Sequence, residues 1–239
     1  MPKLKLKVKK IVDETPDTKS IYLGLTNTNF EFKPGQFVAL YLDVNDPKGN
    51  RRAFSIASSP TEKDFLLLAS KITDTPYKNK LNSLKQGDEV VIDGPYGKLE
   101  LQSDYSQKAI MLAGGIGITT LRCFIKYATD KKLPLKIVLL YSNKTPEDIA
   151  FKKDLDNLTK QNKNFILVNT ITRPEESKTK WKERIGRIDE NLVKEYAKDL
   201  DKAIYYVIGP PAMVDAMLQI LKNLKIKEDK IKIERFFGY

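Results

Sequence analysis

The hydrophobic period of this chain changes once along its 239 residues, near residue 104, and that change limits the folds open to it. Upstream, Leu4, Leu6 and Val8 alternate with lysines, and Ser20–Leu25 alternates in the same way. Gln36–Leu42, Ala53–Ala57, Phe65–Ile72 and Glu89–Ile92 add further short runs. Alternation with period two marks a half-buried strand. Turn-forming clusters separate the runs: Lys33-Pro34-Gly35, Pro47-Lys48-Gly49-Asn50, Gln86-Gly87-Asp88 and Gly94-Pro95. Short strands at this spacing predict an antiparallel Greek-key β-barrel over residues 1–103.

Downstream the pattern is strand, helix, strand. Ala109–Leu112, Leu135–Tyr141, Phe165–Thr170, Ala203–Ile208 and Lys230–Phe236 read as strands. Leu121–Thr129 is amphipathic, and Thr145-Pro146-Glu147-Asp148 supplies a cap, a proline and first-turn acids for a helix running to about Lys160. Asp189 caps a helix to about Lys198, and Pro211–Leu224 forms the last one. This alternation predicts a parallel-sheet α/β domain of nucleotide-binding type over residues 104–239, a β + α/β chain as a whole.

Composition then narrows the chemistry. The chain has no histidine and one cysteine, Cys123. That excludes His-based triads, His-ligated metal or haem, an internal disulfide, and an iron–sulfur cluster with its roughly four Cys ligands. If the chain does redox chemistry, its electrons must therefore sit on an organic cofactor. Cys123 itself reads as a small buried hydrophobe. Forty-two Lys and Arg oppose 31 Asp and Glu, for a formal charge of +11, which favours anionic partners. The lysines are scattered and not interleaved with aromatics, so no nucleic-acid surface is expected, and a basic nucleic-acid-binding barrel is the remotest alternative. The opening MPKLKLKVKK lacks the apolar stretch of a secretion signal. Apolar runs such as Phe65–Ala69 fall far below the ~18–20 residues of a membrane span, so no transmembrane segment is expected and the reading is cytoplasmic.

Four segments carry chemistry. Gly114, Gly115 and Gly117 sit in Ala113–Thr120 between a strand and a helix, where bare backbone and free helix N–H groups suit a diphosphate. Arg52-Ala53-Phe54-Ser55 offers a guanidinium fork, an aromatic face and a hydroxyl. Ile208–Met213, with Gly209 and Pro210, lies at the carboxyl edge of the sheet, where ligands bind. Glu234–Tyr239 combines a carboxylate with three aromatics.

In this order the segments resemble the motifs of the ferredoxin–NADP reductase superfamily, over nearly the whole chain. Arg52–Ser55 is similar to its Arg-x-Tyr/Phe-Ser flavin motif, and Gly114–Thr119 to its Gly-Gly-x-Gly-x-Thr nucleotide motif. Gly209–Met213 is similar to Gly-Pro-Pro-x-Met, with Pro34-Gly35-Gln36 and Gly94-Pro95-Tyr96-Gly97 as further matches. The resemblance implies FAD as flavin and NAD(P)H as hydride donor. It places Arg52 at the flavin phosphate, Phe54 against the isoalloxazine and Ser55 near N5. It makes Ser55, Glu234 and Phe236 the catalytic group, with Tyr239 competing with Phe236 to stack on the flavin. Thr75–Leu81 resembles the phosphate loop, so Pro76, Lys78 and Asn79 join Lys71 as flavin contacts. Gly114, Gly115, Gly117, Thr119, Gly209, Pro210 and Met213 would hold the nicotinamide dinucleotide. Two residues depart from the family: Ile208 stands where many members have Cys, and Thr120 where proline is common.

The implied reaction passes hydride from NAD(P)H to flavin N5 and then single electrons to a separate acceptor such as an acidic ferredoxin or flavodoxin. The alternative is a flavin-bound electron-transfer subunit active only inside a multicomponent complex. Ser142 and Lys144 follow the second strand of the α/β half, where the ribose 2′ position is read, and with Arg173 they could meet a 2′-phosphate. No acid ends that strand, so the reading leans to NADPH over NADH.

Overall fold

The computed structural model describes residues 3–26 and 28–237. The first half forms β1 (Leu4–Thr15), β2 (Thr18–Gly24), β3 (Phe37–Tyr41), β4 (Arg51–Ser55), β5 (Phe65–Lys71), a short helix α1 (Pro76–Asn82) and β6 (Glu89–Tyr96). These strands make one antiparallel sheet in the order β4-β3-β6-β1-β2-β5. The sheet curls until its ends meet: just past β4, the Ala57 N–H donates to the Leu67 carbonyl of β5 at 2.8 Å. Consecutive strands β3, β4 and β5 are then followed by β6 returning beside β3, which is the Greek-key order. The alternating lysines of β1 point outward, and Leu6 and Val8 point into a core shared with Leu23, Val38, Leu40, Leu66 and Ile92.

Helix α1 is where the sequence expectation of a loop over Thr75–Leu81 gives way to about two turns of helix. The Thr75 side chain accepts the Lys78 N–H at the start, and Pro76 opens the first turn. Burial of Tyr77 and Leu81 then holds the helix on the barrel, and the Tyr77 hydroxyl donates to the Leu40 carbonyl at 2.7 Å.

The second half contains β7 (Lys108–Gly114), α2 (Ile118–Asp130), β8 (Ile137–Asn143), α3 (Lys152–Gln161), β9 (Phe165–Ile171), β10 (Arg184–Ile185), α4 (Glu190–Ala197), β11 (Ala203–Gly209), α5 (Pro211–Asn223) and β12 (Ile231–Arg235). All six strands are parallel, in the order β10-β9-β8-β7-β11-β12. Successive strands run outward from β7 to β10, and β11 then starts on the other side of β7. The strand order reverses there, so a crevice opens at the carboxyl ends of β7 and β11.

One predicted helix is corrected. The stretch from Thr145 to Lys160 is not continuous: Pro146–Asp148 is a single 3-10 turn, and α3 begins only at Lys152. Ile149, Ala150 and Phe151 are buried between them, and Phe151 takes a left-handed conformation with φ 58°. Its N–H donates to the Glu14 carboxylate of β1 at 3.1 Å, so burial against the barrel overrides the local helix signal.

Arg122 ties the halves together more strongly. It lies on α2, 4% exposed, and forks onto both carboxylate oxygens of Glu62 at 2.8 and 3.0 Å. It also donates to Asp154 at 2.6 Å and to the Ala57 carbonyl at 2.8 Å. Burial works against its charge, but Glu62 and Asp154 outweigh that and raise its pKa above the ordinary arginine value.

Candidate active site

The glycine turn between β7 and α2 is shaped by what a side chain would strike. A Cβ on Gly117 would lie 2.4 Å from the Ile208 carbonyl oxygen, so only glycine lets α2 start this close to β11. Gly115 has φ +52° with nothing within 4 Å of where its Cβ would stand, which leaves its outward side open. The Tyr141 hydroxyl donates to the Gly115 carbonyl at 3.0 Å and pins the turn from the β8 side. Met213 packs under both Gly114 and Gly209, where a Cβ on either would come within 3.2 Å of its side chain, while Pro210 precedes the first turn of α5. The Thr119 hydroxyl donates to the Ile116 carbonyl at 3.0 Å, closing the turn from within.

Thr119, just past this turn, borders a cleft of about 760 Å³ between the barrel and the parallel sheet, whose lining does not include Gly114, Gly115, Gly117, Gly209, Pro210 or Met213. Arg52, Phe54, Ser55, Pro76 and Lys78 line its barrel side, and Thr119, Glu234 and Phe236 the other. These sequence-predicted residues therefore share one cavity. Others lie elsewhere. Lys71 pairs with Asp17 at 2.5 Å, and the Asn79 amide donates to Asp74 at 3.0 Å; neither lines the cleft. Ser142 and exposed Lys144 are at and just beyond the end of β8, with Ser142 in register with Gly114. Tyr239 falls outside the described residues.

Arg52 is engaged by its own surroundings. It donates to Asp46 at 2.6 Å and to the carbonyls of Lys48, Gly49 and Arg51, and it lies over the Tyr77 ring. The fork that was expected at a phosphate thus organises the 46–49 turn. Asp46 is held below the usual carboxylate range, first by the Lys48 N–H and also by the Tyr77 N–H and Arg52. Lys78 is placed differently: its ammonium donates to the Ser70 hydroxyl and hovers over the Phe54 ring. Burial, then repulsion from Arg52, brings its pKa down to about 8.

The far wall is built by β12. Glu234 accepts from the Thr120 hydroxyl at 2.7 Å on one oxygen and from the Ser55 hydroxyl at 3.4 Å on the other. Burial raises its pKa, and the two hydroxyls pull it partly back. Phe236 is fixed by its N–H, which donates to the Gly209 carbonyl at 3.0 Å. Ile208, in register with Glu234, turns its side chain into the core and takes no part in the cleft. Sequence reasoning missed the Thr120 hydroxyl, because Thr120 registered only as a missing proline.

The donor set suits a flavin dinucleotide and a nicotinamide dinucleotide. The turn leaves Gly115 open at a helix start, a cation stands at the cleft, and hydroxyls and a carboxylate meet at its base. Among the described residues no cluster of metal-ligating side chains occurs.

Two family models match the chain in order, an oxidoreductase FAD-binding domain over residues 4–101 and an oxidoreductase NAD-binding domain over residues 111–219. The glycine betaine monooxygenase reductase subunit of Chromohalobacter salexigens is 28% identical over 217 residues, covering 90% of this chain and 59% of that protein. A subunit of the Na(+)-translocating NADH-quinone reductase of Idiomarina loihiensis is 29% identical over 206 residues, covering 78% and 49%. The chain thus spans about half to three-fifths of the length of these relatives. The crystal structure of the Amycolatopsis cytochrome P450 reductase GcoB shares the fold at TM-score 0.84 and 22% identity, over 99% of this chain and 71% of that one. Fold and cleft define an FAD- and nicotinamide-dinucleotide-binding oxidoreductase. The chain belongs to the ferredoxin–NADP reductase superfamily.

Proposed function

We propose that this chain oxidises NAD(P)H and delivers the electrons singly to a separate acceptor, with residues 1–103 binding FAD and residues 104–239 binding the nicotinamide dinucleotide. The observation that carries this reading is the meeting of Ser55 from the barrel with Glu234 from the parallel sheet, beside an open glycine turn. FAD, when bound, supplies the two-electron to one-electron conversion that no side chain of this composition can perform. Lys78 offers its charge to the flavin phosphates, and Arg52 holds the 46–49 turn in shape beside it. Ser55 and Glu234 present polar groups to the reacting rings, and Phe236 covers them. Gly115 leaves the turn before α2 open to the dinucleotide, while Gly114 and Gly117 let that turn pack closely on Met213 and β11.

Ser142 and Lys144 favour NADPH, since Lys144 is exposed beside the β8 end and Glu147 is already bonded to Thr179 at 2.9 Å. The quinone-reductase relative is named for NADH, so comparing kcat/KM for both cofactors, with Lys144→Glu as probe, decides the point. The acceptor we favour is an acidic protein, because the chain is strongly basic and Lys48 and Arg51 line the cleft. A second reading, action only inside a larger assembly, is favoured by the names of both curated relatives, each of which is a subunit of a reductase or monooxygenase system. A cytoplasmic setting agrees with a single, buried, unpaired cysteine, and no helix among the described residues is long and apolar enough to cross a membrane.

The purified chain is expected to be yellow, with bands near ~450 nm that bleach on adding NAD(P)H under nitrogen. A colourless chain that also fails to take up added FAD refutes the reading. A yellow chain that does not bleach, alone or with artificial acceptors, favours action only inside an assembly.

A further inference from the structure

Glu234 depends on one neighbour for its orientation. It sits on β12, an edge strand bonded only to β11, and its carboxylate has two donors. The Ser55 bond is long at 3.4 Å, and the Thr120 bond is short at 2.7 Å. Thr120 is fully buried in the first turn of α2, three residues after the glycine that presses on the Ile208 carbonyl. That carbonyl belongs to the residue in register with Glu234, so α2 is keyed to this level of the sheet twice. Among the cations of the cleft, Arg235 pairs with Asp215 of α5 at 2.7 Å, Arg52 pairs with Asp46 of the barrel, and Lys78 donates to the Ser70 hydroxyl.

We propose that Thr120 is the positioning residue for Glu234, holding one carboxylate oxygen so that the other stays at the cleft while the Ser55 hydroxyl turns toward the bound cofactor. The inference rests on the proposed function only in assigning Glu234 to the reacting rings. The contact itself belongs to the chain. Its physical basis is asymmetry: a strong hydrogen bond to a charged oxygen survives when the weak one is exchanged. Thr120 replaces the need for a charged partner, which at this buried position would lock the carboxylate in its ionised form.

The test uses the FAD-loaded full chain with ¹³C-labelled glutamate carboxyls, Glu234 being assigned by its absence in Glu234→Gln. Thr120→Val keeps the buried shape and removes the donor. Its Glu234 titration should rise by about one pH unit relative to wild type. Its rate of flavin reduction should fall about tenfold, with KM for the nicotinamide cofactor changed less than about twofold. Thr120→Ser, which restores a hydroxyl, should return both readings close to wild type. In a Glu234→Gln background, Thr120→Val should cost nothing more, because the two act as one unit. If Thr120→Val does not load FAD, Thr120→Ala carries the same expectations. An unmoved Glu234 titration, or an equal further loss in the Glu234→Gln background, overturns the proposal. A wild-type chain that fails to bleach with NAD(P)H would instead strike the proposed function, and the titration would still judge the contact.

Discussion

Lys78 lines the cleft with a charge that its surroundings bring close to neutral pH. Burial and Arg52 bring its pKa to about 8, so its ammonium is largely intact at neutral pH and lost just above. An anion bound beside it favours the protonated form. FAD affinity should therefore change little below about pH 7.5 and weaken by up to about fivefold from pH 8 to 9. Lys78→Met should bind FAD more weakly at pH 7 and show no such step; a wild-type profile flat from pH 7 to 9 removes Lys78 from the phosphate site. Residue-level chemistry was only partly legible in the sequence. Ser55, Lys78 and Glu234, picked out by type, order and resemblance, do line one cleft. The diversion of Arg52 to Asp46 was not legible, because it depends on a turn that brings Asp46 back onto the guanidinium at 2.6 Å. Thr120 escaped for the same reason: its hydroxyl meets a carboxylate 114 positions away.

At the scale of elements, the glycine turn is the part least tolerant of change. Gly117→Ala places a methyl 2.4 Å from backbone oxygen on β11, and backbone cannot swing aside as a side chain can. The variant should lose about 2–3 kcal/mol of stability, read as a drop in Tm of roughly 5–10 °C, together with weakened dinucleotide binding. Gly115→Ala meets no such clash; its cost is the strain of a positive φ alone, and it should be milder in Tm. Strands and most helices were legible because period and caps are local signals; Asp189, for example, caps α4 by accepting the Leu192 N–H at 2.8 Å. The break before α3 was not legible. Ile149–Phe151 look helical until the barrel surface that buries them, with Glu14 waiting for the Phe151 N–H, is in place. Helix α1 and the two-residue strand β10 were missed as too short to hold a period.

Across the whole molecule, Arg122 joins three segments, the loop after β4, α2 and α3, through a guanidinium that is itself buried. Arg122→Met should cost about 3–5 kcal/mol by stranding the Glu62 carboxylate, whereas Arg122→Met with Glu62→Leu should recover part of that loss. Thermal unfolding of the two variants measures the difference; equal losses would show that packing, not the stranded charge, is responsible. Long-range charge belongs to this scale too. If an acidic acceptor is steered by the +11 surface, its reduction rate should fall steeply as salt rises from about 20 to 500 mM. A flat dependence removes the steering. The bond from Ser55 to Glu234 spans 179 positions of chain, and its partner strand is the last to be laid down. The order of assembly follows from that distance. Barrel and sheet can each gather from nearer contacts, but the cleft closes only when a late edge strand finds a residue from the first quarter of the sequence. Refolding should therefore recover backbone signal before it recovers Glu234's buried titration, and simultaneous recovery of the two would show that cleft and fold form in one step.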